Sequence, residues 1–201
     1  MVKNFEILNK MSIIWSMATH IKTHNDLDAA ATRVIAEIAG LEIASTSYHN
    51  YNTIDVAIVK FIQEKEYKDG DTLLITDICP VQQTCEFINK NKPKELEIIL
   101  LDHHKTRAWA NKYDWATINT TKSGVQLIFE KYNNNNKLDN YLDFVNAVTA
   151  WDLWQIESPY RKRGENLTSL LGFIGKKEFV TRFVHDPDAD QHPTSTLEAI
   201  I

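Results

Sequence analysis

Five aspartates and three histidines fall in four short segments of the chain: His24-Asn25-Asp26-Leu27-Asp28, Asp77 in Thr76-Asp77-Ile78, Asp102-His103-His104, and Asp152 in Trp151-Asp152-Leu153-Trp154. Each segment lies where an apolar run ends. Manganese and magnesium take carboxylate oxygens, and manganese also accepts imidazole. Two such ions about 3.5–4 Å apart clamp a phosphoryl group and lower the pKa of a shared water. That chemistry needs one carboxylate between the ions and separate ligands for each. Asp77, alone at a strand tip, is the bridging candidate. In an extended strand end, residues two apart point the same way, so His24, Asp26 and Asp28 are expected to face one pocket. His103 completes a second ion beside Asp28 and Asp152. His104 then remains to hold the scissile phosphate or assist the leaving group. If the segments converge, the chain is a metal-dependent hydrolase of phosphate esters, with Asp77 and His104 as its catalytic residues.

Taken singly, each residue has a plainer role. An Asp after a strand is usually a turn or cap residue, adjacent histidines are common in loops, and Asp152 could accept an indole hydrogen bond. It is the set, in this order and after these strands, that points to a metal site. Other signals are weaker. Ser123-Gly124 could offer backbone N–H groups to a phosphate or simply cap a helix. Trp151 and Trp154 read as core residues. His49, His185 and His192 read as surface residues, and His20 competes with His24 as first ligand, although it lies inside a strand. There is no P-loop and no G-x-G-x-x-G.

The elements that must position these residues alternate. Apolar runs over residues 13–23, 71–76 and 96–101 read as buried parallel strands, and residues 42–48 as a further strand. Helical patterns cover residues 27–38, stopping at Gly40, and residues 54–66, with Ile54, Ile58, Phe61 and Ile62 on one face. A shorter helix spans 82–91, another begins after Ser123, and one runs over 138–150 to the Trp-Asp-Leu-Trp segment. Residues 167–171 and 178–184 suggest one or two amphipathic helices around a loop at 172–175, and 186–201 reads as a tail. Alternation of this kind argues for an α/β fold: a doubly wound, mostly parallel sheet with helices on both faces. Ligands bind such sheets at the carboxyl ends of the strands, where three of the four segments fall.

At 201 residues, 43% hydrophobic and 24% charged, the chain can bury one sizeable core. Its formal net charge of -5 gives no global basic field, so a large duplex substrate is disfavoured relative to a short RNA or a small nucleotide. Cys79 and Cys85 are too few for a disulfide framework and read as reduced thiols. The apolar stretch at 13–18 is soon interrupted by His20 and Lys22, so neither a signal peptide nor a membrane span is expected and the location read from the sequence is cytoplasmic.

With these residues in hand, the chain resembles the DHH phosphoesterase superfamily, named for the motif present as Asp102-His103-His104. The four motifs occur in family order across roughly residues 12–155. Thr-His-Asn-Asp-Leu-Asp and Trp-Asp-Leu-Trp are most similar to the nanoRNase B-type oligoribonuclease branch. The first motif lacks the His-x-Asn-Pro-Asp spacing of family II inorganic pyrophosphatases. What the resemblance implies is a phosphodiesterase of short oligoribonucleotides or small cyclic or dinucleotides, using two divalent ions, Mn2+ first and Mg2+ or Co2+ as substitutes. It implies that His24, Asp26 and Asp77 hold one ion, that Asp28, Asp77, His103 and Asp152 hold the other, and that His104 touches substrate. It also implies a catalytic domain over residues 1–155. Residues 156–201 would then be connecting helices and tail, with the glycine-rich second domain of the family (DHHA1) absent or truncated. A homodimer, or a partner chain supplying that domain, would complete the cleft. The competing reading is a non-catalytic metal- or nucleotide-binding half; a third is a phosphomonoesterase or pyrophosphatase using the same ions.

Overall fold

The computed structural model describes residues 17–191. Five parallel strands form one sheet: β1 (Ala18–Thr23), β2 (Glu42–Tyr48), β3 (Thr72–Thr76), β4 (Glu97–Asp102) and β5 (Ala116–Ile118), in the order β2-β1-β3-β4-β5. Six helices accompany them: α1 (Leu27–Ile38), α2 (Ile54–Gln63), α3 (Gln82–Asn91), α4 (Gly124–Tyr132), α5 (Leu142–Asp152) and α6 (Arg161–His185). The sheet is doubly wound, as the alternation of strand and helix patterns implies. After β1 the chain crosses to β2 on one side, then returns to build β3, β4 and β5 on the other. The winding therefore reverses between β1 and β3, which makes a crevice at their carboxyl ends.

Side-chain alternation along the strands divides the core in two. Ile21, Leu74 and Leu101 pack beneath α1, α4, α5 and α6, together with Val34, Phe144, Phe179 and Phe183. Leu73, Ile75, Ile98 and Leu100 face the other way, onto Ile54, Ile58 and Phe61 of α2 and Ile88 of α3. Helix α1 starts sharply because the Asp26 carboxylate accepts a hydrogen bond from Ala29 N at 3.1 Å. Its alanine-rich body suits a helix that must lie close on the sheet, and Gly40, at φ 81°, follows its end.

Several sequence expectations shift. Within the described residues β1 begins at Ala18, and residues 13–16 of the expected strand lie outside them, as do His192 and the end of the expected tail. The helix expected over 54–66 stops at Gln63. That expected over 138–150 begins at Leu142, after a 3-10 turn, and runs on to Asp152. The short strand β5 and the 3-10 helix Lys105–Lys112 carry too little periodicity to be read from sequence. The one or two helices expected around 172–175 are the two halves of α6, which meet at a kink at Gly175 (φ 75°, ψ 163°), with the expected loop reduced to that residue. Leu167, Phe179 and Phe183 hold it to the core, and Phe144 stacks on Phe183 with centroids 5.0 Å apart. Helices α5 and α6 cross closely because residue 164 is glycine: a Cβ there would lie 2.3 Å from Ala147 O.

Candidate metal centre

Strand register brings the segments together. Thr23 pairs with Thr76, and Thr76 with Leu101. The residues that follow those three, His24, Asp77 and Asp102, therefore leave the sheet side by side, one strand spacing apart. Asp77 lies just past β3, not within it, in the left-handed region at φ 56°. Aspartate tolerates that conformation better than most residues, and its N–H donates to Leu101 O at 2.9 Å.

The first segment converges for a different reason from the one read in the sequence. It is not an extended strand end. His24 is in the loop, Asp26 is the N-cap of α1 and Asp28 lies in its first turn. A helix start turns the chain by about 100° per residue, so Asp28 reaches the crevice from the helix while His24 and Asp26 reach it from the loop.

Asp77 stands at the centre, 1% exposed. Its Oδ1 is 3.1 Å from His103 Nε2, and its Oδ2 is 3.9 Å from His24 Nδ1. His24 Nδ1 also lies 2.5 Å from Asp26 Oδ2, and His103 Nε2 lies 3.3 Å from Asp152 Oδ2. Three ligand sets each draw within 4.8 Å: His24, Asp26 and Asp77; Asp28, His103 and Asp152; and Asp77 with Asp102, His103 and His104. All six residues expected as metal ligands thus belong to one cluster: Asp77 is in the first and third sets, and His103, in the second and third, links it to Asp28 and Asp152. His104 sits at the margin, its ring 4.4 Å from that of His103.

The electrostatics are those of a site built for cations. Asp77 Oδ2, Asp102 Oδ2 and Asp152 Oδ2 are buried with no hydrogen-bond partner among the described residues. No lysine or arginine among those residues forms an ion pair with any of the five carboxylates. Burial, reinforced by Asp152 and Asp26, pushes Asp28 up to about 7. Burial, with Asp26 next, does the same to Asp152, to about 7. Asp77 is raised well above its ordinary value by burial and by the Asp28 and Asp26 charges. His103 is lowered, chiefly by burial. Asp26 goes the other way: burial pushes it up, but the His24 hydrogen bond and charge and the Ala29 N–H outweigh that push. Crowded, desolvated carboxylates with orphaned oxygens are costly unless a cation joins them. The donor set, oxygens with imidazole nitrogens, fits divalent ions of the manganese and magnesium type.

Sequence reasoning named Asp102 in the set without giving it a role, and it missed other participants. Asp102, fully buried, takes the His104 Nδ1–H at 2.8 Å. That hydrogen bond comes first among the causes that raise the His104 pKa. Tyr51 leans on the His24 and His104 rings, with centroids 5.4 and 5.8 Å away. Gly124 and Val125, at the start of α4, donate their N–H groups to Asp28 at 2.6 and 2.8 Å. The Ser123-Gly124 signal was therefore half right: Ser123 does cap α4 through Gln126 N, but the backbone donors hold a carboxylate of the chain itself. Gly124 is required for that approach, because a Cβ there would lie 2.7 Å from Asp28 Oδ2 and 2.8 Å from Asp77 Cβ. His20, the competitor for His24, is engaged elsewhere, between Ser45 Oγ at 2.8 Å and Asp71 Oδ2 at 3.1 Å. His49 is half-buried and bonds Ser47 Oγ at 2.8 Å rather than lying on the surface. Cys79 and Cys85 are buried free thiols. Trp151 packs partly against the core, whereas Trp154, expected there too, is 67% exposed. It sits past the end of α5, where the chain has already left the core.

No family model matches the chain. Among curated proteins it is similar to oligoribonuclease NrnB of Bacillus subtilis (strain 168), 26% identical over 175 residues, which cover 82% of this chain and 44% of that protein. The chain thus spans less than half the length of that relative. Among solved structures, an uncharacterized protein from Helicobacter pylori G27 shares the fold, with a TM-score of 0.72 at 14% identity over 91% of this chain and 59% of the other. The sequence likeness is to an oligoribonuclease, the activity class that the motif resemblance implies. Among the described residues, no helix is long and apolar enough to cross a membrane.

Proposed function

We propose that the chain carries the hydrolytic centre of a manganese-dependent phosphodiesterase acting on short oligoribonucleotides or small cyclic or dinucleotides. One observation carries the reading: Asp77, buried between two ligand sets, turns one oxygen toward His103 and the other toward His24. His24, Asp26 and Asp77 would hold one ion, and Asp28, Asp77, His103 and Asp152 the other. Bound there, the pair supplies Lewis acidity toward a phosphoryl group and a water made acidic enough to attack it. The chain does the positioning. The α4 N–H groups fix the Asp28 carboxylate. Asp102 holds His104 by Nδ1 and favours its protonated form, so Nε2 is left to donate to a phosphate oxygen or to the departing oxygen. The location proposed is cytoplasmic, with short RNA or a small nucleotide as substrate. The test is cleavage of a dinucleotide by the purified chain with Mn2+, Mg2+ or Co2+, alongside its ion content. Manganese-dependent release of mononucleotides supports the reading, and equal turnover by Asp77→Asn removes it.

A second reading has its own observation. The matched residues are 44% of that oligoribonuclease, so the metal centre can also be read as one part of a working cleft. A half-site of that kind binds ions and nucleotide without turnover, which calorimetric titration with Mn2+ and a dinucleotide separates from catalysis.

A further inference from the structure

A solvent-open cavity of about 550 Å³ adjoins the metal centre, which places it within the usual size of a small-ligand site. One wall is the acidic cluster itself: Asp26, Asp28 and Asp152. The cavity is lined as well by Trp151 and Trp154 around the end of α5 and by Thr168 and Lys176 of α6.

The corner that carries the tryptophans is unusual in its backbone. Helix α5 ends in a Schellman motif, with Gln155 N donating to Ala150 O at 2.9 Å and Trp154 N to Trp151 O at 3.2 Å. The left-handed residue of that motif is normally glycine. Here it is Trp154, at φ 57°, so one of the bulkiest side chains occupies a conformation that disfavours any Cβ. Its indole gains no burial in return, being 67% exposed. Yet it is held. The Arg161 guanidinium lies 4.4 Å from the Trp154 ring centroid and 4.1 Å from that of Trp151. It is itself anchored on Ala150 O at 3.1 Å and Trp151 O at 2.7 Å. A large apolar surface is thus kept rigid, presented to solvent and placed beside a phosphate-ester centre. Within the same cavity, Thr168 Oγ1 is buried with no hydrogen-bond partner among the described residues. Lys176 is the one basic side chain on the wall among those residues, next to the helix break at Gly175.

We propose that this cavity is a nucleobase subsite of the hydrolytic centre: a base of the RNA strand stacks on the open surface of Trp154 while its phosphate lies at the acidic cluster. Thr168 offers the stacked nucleoside a hydroxyl that has no hydrogen-bond partner among the described residues, and Lys176 answers the charge of the next phosphate. The inference rests on the phosphodiesterase reading for its substrate class. Stacking on a preset aromatic is sequence-tolerant, because every base has a π-face, so the subsite accepts purines and pyrimidines alike.

The decisive variant is Trp154→Gly, since glycine suits the left-handed position and the fold is expected to hold or gain thermal stability. Binding of adenosine 5′-monophosphate and of ribose 5-phosphate is measured with Mn2+ present, by calorimetry on the full chain. The wild-type chain is expected to prefer the nucleotide by roughly tenfold, and Trp154→Gly to lose that preference. Trp154→Phe, which restores a ring, recovers most of it. In turnover, the ratio of kcat/KM for a dinucleotide over its abasic counterpart falls in Trp154→Gly, mainly through KM. A wild-type chain that binds both ligands equally overturns the subsite, as does a glycine variant that keeps the preference. Failure of the phosphodiesterase reading looks different: the dinucleotide is not cleaved at all, while the base-dependent binding persists.

Discussion

Half-buried histidine and buried aspartate meet at both ends of this sheet, with opposite results. At the amino end, Asp71 is 3% exposed and accepts from Lys68 N at 2.8 Å, Ala18 N at 3.0 Å and His20 Nε2 at 3.1 Å. Burial pushes its carboxyl up, but those hydrogen bonds outweigh the push and hold it below the ordinary range. At the carboxyl end, Asp77 is buried as deeply, has an oxygen with no hydrogen-bond partner among the described residues and is raised well above that range. The residue types are the same. What differs is satisfaction: one end closes its hydrogen bonds internally and serves the fold, while the other leaves acceptors in want of a cation.

Replacing the central carboxylate tests this contrast most severely. Asp77→Asn is expected to lower Mn2+-dependent dinucleotide cleavage by about a thousandfold or more, since several kcal/mol of charge stabilisation go with the ions. The same change should raise the melting temperature of the ion-free chain, by removing a like charge from a buried cluster. Asp71→Asn should do the reverse, costing about 1–3 kcal/mol of stability while leaving kcat largely intact. If both variants behave alike in the two assays, the contrast between the ends collapses.

His104→Gln should cut kcat by about a hundredfold with little change in manganese affinity. Asp102→Asn should follow it in direction and move the alkaline limb of the pH–rate profile to lower pH. A matched loss of manganese in either variant would instead make these residues ligands. Smaller in reach is Gly124→Ala, whose added carbon must displace Asp28 or Asp77. Manganese affinity measured by calorimetry is expected to fall about 10- to 100-fold, as for other groups that orient ligands; an unchanged affinity would show that the α4 contact is ornamental to the site.

The subtlest difference lies in pH. Asp28 and Asp152, raised from 3.8 to about 7, hold protons in the folded chain that the unfolded chain releases. Their contribution to stability is therefore full below pH 4 and lost as pH rises toward 7 and beyond, on the order of a few kcal/mol together. Asp71 contributes in the opposite sense, above its unfolded pKa, and that contribution disappears on acidification. Melting curves in chelator should thus fall between about pH 4 and 7, and saturating Mn2+ should abolish the fall. A flat profile without metal would mean the carboxylates are not crowded in solution.

Much of this was legible in the residues. The bounds of α1 and α3 follow from helix formers, Gly40, Pro80 and Pro93, and the end of β2 from Tyr48, because those signals are local. The ligand inventory could also be read, since few other arrangements need acids and imidazoles at successive strand tips. Asp28 was placed correctly but for the wrong reason: the alternation of His24, Asp26 and Asp28 imitates a strand end, whereas Asp26 starts a helix. Trp154 was misread because a Trp-Asp-Leu-Trp string carries no mark of a left-handed turn, and Arg161, which holds both indoles, is seven residues away with no periodic link.

The sequence alone settled which donors exist, that they sit where strands end, and that strands and helices alternate, because composition, capping and apolar period are properties of neighbouring residues. Tertiary structure decided which oxygen faces which imidazole. The two N–H groups that fix Asp28 come from residues 96 and 97 positions away, and Asp77 meets His24 and His103 only because β3 lies between β1 and β4. Strand order and register arise from pairing distant segments under one shared core, and such pairing leaves no imprint on any single stretch of chain.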